Sequence, residues 1–83
     1  MIDALSNPPN DTIDRIFYMF KVVGSFGGEW FSHDDVILRS PLPASTLRRY
    51  MEKFVENDVL ASRKYIGYNN QTQIMFRVKR RGE

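Results

Sequence analysis

With 83 residues, the chain has room for one hydrophobic core and not for two. Its 42% apolar and 27% charged residues exclude a disordered or low-complexity sequence, and the absence of cysteine excludes disulfides and thiolate metal sites and fits a cytoplasmic setting. The net charge of +2 conceals a division: residues 1–42 hold three bases (Arg15, Lys21, Arg39) against six acids, whereas residues 43–83 hold nine bases against four acids, which predicts a polyanion-facing end.

Residues 1–10 contain Asn7-Pro8-Pro9-Asn10, which cannot form a helix interior, and are predicted to be a flexible arm. They lack the basic start and long apolar stretch of a secretion signal, and no 18-residue apolar run follows, so neither export nor membrane spanning is expected. Asp11 or Thr12 can cap a first helix. In it Ile13, Ile16, Phe17, Phe20 and Val23 recur at helical spacing and are predicted to face the core. Tyr18, Met19 and Val22 then fall on the opposite side. That side calls for a cover, either Ile2 and Leu5 of the arm or, preferably, a second copy in a twofold dimer. Gly24 stops the helix and residues 25–28 form a flexible link.

A brief strand is predicted near Trp30. Ser32 then caps a short helix over about residues 34–38, with Asp34 and Asp35 at its positive end. Ser40-Pro41-Leu42-Pro43 removes two N–H donors and makes a rigid turn. Pro43 suits the first turn of a third helix running to Asn57, with Leu47, Met51, Phe54 and Val55 inward and Tyr50 at the edge. Asn57-Asp58 supplies a left-handed ending. Residues 60–66 and 73–79 alternate as hairpin strands. A two-residue Asn69-Asn70 turn pairs residues whose numbers sum to 139, which puts Ala61, Tyr65, Ile74, Phe76 and Val78 inward. Ser62, Lys64, Ile66, Gln73, Met75, Arg77 and Lys79 then form a cationic outer face, and Arg63 falls awkwardly inward. Residues 81–83 complete a basic tail begun by Lys79 and Arg80, suited to non-specific phosphate contact.

This succession over about residues 11–80, with PASTLRRYMEKFVENDVL at 43–60 as its most specific stretch, resembles the winged helix-turn-helix family of bacterial and archaeal transcription regulators. Asp58 stands where many members carry glycine. The resemblance implies an α+β fold of three helices plus a C-terminal two-stranded wing, reading double-stranded DNA with the third helix. A helix fits the major groove and reaches base edges with its N-terminal half. The residues so placed are Ala44, Ser45, Thr46, Arg48, Arg49 and Lys53, and the wing adds Lys64, Tyr68, Asn69, Asn70, Gln71 and Arg77 for the backbone or minor groove. A protein-interaction module, or an architectural or replication factor of a mobile element, are the alternatives. His33 is the only histidine, and helix capping accounts for its acidic neighbours better than a metal site does. No phosphate loop, nucleophile elbow or paired carboxylates suggest catalysis, and neither a cofactor nor a separate ligand-binding domain is expected.

Overall fold

In the computed structural model, which describes residues 7–80, the first helix, α1 (Thr12–Gly24), begins where the Asp11 carboxylate accepts hydrogen bonds from the backbone N–H of Ile13 (2.9 Å) and Asp14 (3.4 Å). It buries Tyr18, Met19, Val22 and Val23, while Ile13, Ile16, Phe17 and Phe20 stand outward. The expected orientation is therefore reversed for all but Val23, and Tyr18, Met19 and Val22 cannot form a dimer contact because this chain's own core covers them. Two features make this the face that packs. Methionine and valine let the helix approach its neighbours closely, and the one polar atom of the face, the Tyr18 hydroxyl, meets Ser40 Oγ at 2.7 Å inside the fold.

The segment after α1 is a built corner and not the flexible link its glycines suggest. Gly27 and Gly28 take positive φ (63° and 87°) and turn the chain. Phe26 stacks on Phe31 at 4.2 Å, and the Arg39 guanidinium lies 3.9 Å above its ring while donating to the Ser25 carbonyl and hydroxyl. β1 (Phe31–Ser32) is the short strand expected beside Trp30. Ser32 also caps α2 (His33–Arg39) through a reciprocal box: Asp35 N–H donates to Ser32 Oγ and Ser32 N–H donates to the Asp35 carboxylate. Ser40 then ends the helix in extended backbone, and Leu42 is buried between the two prolines of the turn.

α3 (Ala44–Glu56) buries Leu47, Met51 and Phe54, with Tyr50 and Val55 half-buried at the margins, as its single apolar stripe predicts. Asp58 ends it in the left-handed region (φ 60°). Val59 N–H donates to the Phe54 carbonyl at 2.8 Å and Asp58 N–H to the Val55 carbonyl at 3.2 Å, the two bonds of a Schellman ending.

β2 (Leu60–Ile66) and β3 (Thr72–Val78) form the hairpin, and the antiparallel sheet order is β1-β3-β2. Leu60 pairs with Val78, Ser62 with Phe76 and Ile66 with Thr72, so paired numbers sum to 138 and not 139. The cause is a three-residue loop, Tyr68-Asn69-Asn70. Asn70 N–H donates to the Gly67 carbonyl, Asn70 takes φ 58°, and Gly67 N–H donates to the Gln71 carbonyl. Shifting the pairing by one residue inverts the whole of β2. Leu60 goes into the core with Phe76, Lys64 and Ile66 lie on the helix-facing side, and Ala61, Arg63 and Tyr65 face away, which relieves Arg63 of its inward placement. The result is a small α+β fold of three helices and a three-stranded antiparallel sheet around a core drawn from every element. Among the described residues, no helix is long and apolar enough to cross a membrane.

Candidate nucleic-acid interface

The outward side of α3 follows from its helical phase. With Leu47, Met51 and Phe54 turned inward, Ala44, Ser45, Arg48, Arg49, Glu52, Lys53 and Glu56 are exposed and Thr46 is half-buried. The first turn carries no acid, and Pro43 at the N-cap provides no side-chain cap, so no side chain of α3 offsets the positive end of the helix there. Neither guanidinium makes a hydrogen bond or ion pair with a described residue. Lys53 differs, since its ammonium lies 3.8 Å from Glu56, a pair exposed on both sides and worth little.

The two arginines look in different directions. Arg48 faces the hairpin across a groove of about 640 Å³ whose walls include His33, Asp34, Glu52, Glu56, Thr72 and Ile74. Arg49 and Lys53 lie around the helix from it. The groove is mixed in sign, because Asp34, Glu52 and Glu56 oppose Arg48, and both acids of α3 belong to its C-terminal half. The acid-free stretch of α3 is therefore its N-terminal half.

His33 occupies the first position of α2 with its ring edge-on to Phe76 at 4.8 Å. Burial chiefly, and then the positive charge of Arg48, hold its pKa below the usual imidazole value, while Asp34 and Glu52 pull the other way. Among the described residues, no three histidine or carboxylate side chains gather to hold a metal ion.

The hairpin brings together only part of the expected wing set. Tyr68, Asn69, Asn70 and Gln71 are exposed at the tip, and Lys64 lies on the helix-facing side of β2, unpaired by any described residue. Arg77 does not join them. It is half-buried on the opposite side of the sheet, with its guanidinium 5.2 Å from the Trp30 ring. Lys79 is held at 3.1 Å by Asp58. Arg81 lies outside the described residues. Sequence reasoning did not find the acidic wall of the groove, nor a recess of about 290 Å³ on the far side of the sheet lined by Trp30, Arg63, Tyr65, Gln73 and Met75. The alternation of β2 held the signal for the recess, but only a correct loop length turns it to the right side.

Comparison with protein-family models, with curated proteins and with solved structures found no match to this chain.

Proposed function

We propose that the chain is a winged helix-turn-helix domain that binds double-stranded DNA and acts as a small transcriptional regulator. The observation that carries this reading is the exposed, acid-free N-terminal half of α3, where Arg48 and Arg49 have no partner among the described residues and Ser45 stands beside them. Such a helix end enters a major groove, each arginine can clamp a phosphate or pair bidentately with guanine, and Lys64 with the Tyr68-Asn69-Asn70 tip tracks the adjoining backbone. The acids Glu52 and Glu56 then lie toward the far end of the helix, away from the deepest point of insertion. No catalytic step is assigned.

Fluorescence anisotropy on duplexes selected from a random pool, repeated at two salt concentrations, tests the proposal. Binding should weaken with a log–log slope of about −0.9 per phosphate neutralised. An enriched motif establishes sequence reading, whereas absence of binding to any duplex at low salt overturns the proposal. A protein-docking module is the second reading. It is favoured by the acidic wall of the groove and by the apolar outward face of α1.

A further inference from the structure

The outward face of α1 carries four large apolar side chains with nothing described above them: Ile13 (65% exposed), Phe17 (62%), Phe20 (42%) and Ile16 (38%). Phe20 is anchored from below, its ring stacked on Phe54 at 4.8 Å, so the patch rests on the core. At 100° per residue the four span an arc of about 100°. On one side this arc runs into the body of the fold through Val23 and Met19. On the other, beyond Phe17, lie Lys21 and Asp14, exposed and unpaired by any described residue.

We propose that this face is the contact between two copies of this chain, with the α1 helices packed antiparallel about a twofold axis near Phe17. The charges select that occupant. In an antiparallel twofold pair each flank of a helix meets the same flank of the other copy, running the opposite way. Asp14 and Lys21 are two turns apart on one flank, so Asp14 of each copy comes opposite Lys21 of the second copy, and both pairs form at once. The apolar stripe between them meets itself, Phe17 against Phe17 and Ile13 toward Phe20. A parallel pair brings the charged flank onto the apolar one and forms neither ion pair. The contact is one helix face wide, which places it in the small, reversible class of interfaces. It does not depend on DNA binding.

Sedimentation equilibrium of the full chain tests this. The mass should rise from one copy to two between about 1 and about 500 μM, as mass action requires of a weak dimer. Asp14→Lys or Lys21→Asp alone places like charges opposite each other twice and should weaken association about three- to tenfold, while the double exchange D14K/K21D restores it. Phe17→Glu should remain monomeric throughout with an unchanged far-UV circular dichroism spectrum, since Phe17 supports nothing inside the fold. The proposal is overturned by a wild-type chain that stays monomeric over that range, by growth beyond two copies, or by a double exchange no better than the single ones.

Discussion

α1 and α3 are both 13 residues long and both bury one side, yet what they show to their surroundings is opposite. α3 presents arginines, a lysine and glutamates, a surface of exposed charge. α1 presents isoleucines and phenylalanines, which gain free energy from any cover that excludes water, about 25 cal/mol for each Å² of apolar surface removed. The proposed duplex contact draws on the first surface and the proposed contact between copies on the second, and the two faces can be altered independently of the core beneath them.

The sharpest way to break that comparison is to truncate the two sides of α1 in turn. Met19→Ala leaves a cavity in the closed core and should cost about 2–5 kcal/mol, while Phe17→Ala should change the stability of the single copy by no more than about 0.5 kcal/mol. Urea denaturation at low micromolar concentration measures both, and equal losses would refute the assignment of the inner face. On α3, replacing Arg48 and Arg49 together by alanine should leave stability within about 0.5 kcal/mol and weaken duplex binding by about 1–3 kcal/mol for each arginine that reads a base. The salt slope should also flatten by about 1 for each phosphate that the variant leaves without its arginine. Unchanged affinity at both salt concentrations would assign α3 no part in binding.

Smaller effects probe what holds the two helices in place. Tyr18→Phe removes one partner of Ser40 Oγ, which still accepts from Leu42 N–H at 3.3 Å, so a loss of about 1 kcal/mol is expected in the same denaturation assay. Asp58→Gly removes the left-handed strain at the end of α3 at the expense of an ion pair with Lys79 whose aspartate is largely exposed, and should stabilise by about 0.5–1 kcal/mol. The smallest effect is that of His33. Because its folded pKa lies below the unfolded value, the unfolded chain binds more protons in the intervening range. Stability is thus complete above the unfolded pKa of 6.5 and declines as the pH falls through the lower folded value. Denaturation midpoints between pH 7 and pH 5 should fall less steeply in His33→Gln than in the native chain.

Legibility in the sequence followed the segregation of polarity. α3 has one apolar stripe and a charged remainder, so its inner face, its ending at Asp58 and the exposure of Arg48 and Arg49 were all readable. α1 offers two apolar stripes, and periodicity reports that a face exists without choosing between them. The hairpin strands were readable as strands, but their facing turned on whether the loop held two residues or three. Asn70 accepts a left-handed conformation in either arrangement, so the local sequence suits both.

The order of elements, the caps at Asp11 and Ser32, the proline-bounded turn and the concentration of bases in the second half are local or compositional properties, and the amino-acid sequence by itself determined them. Which side of α1 is inward, and which side of β2 meets the helices and so parts Lys64 from Arg77, were decided only in the tertiary structure. Each is a choice between two locally equivalent arrangements. Such choices are settled by how side-chain volumes fill a shared core and by whether a hydroxyl such as that of Tyr18 finds its partner there.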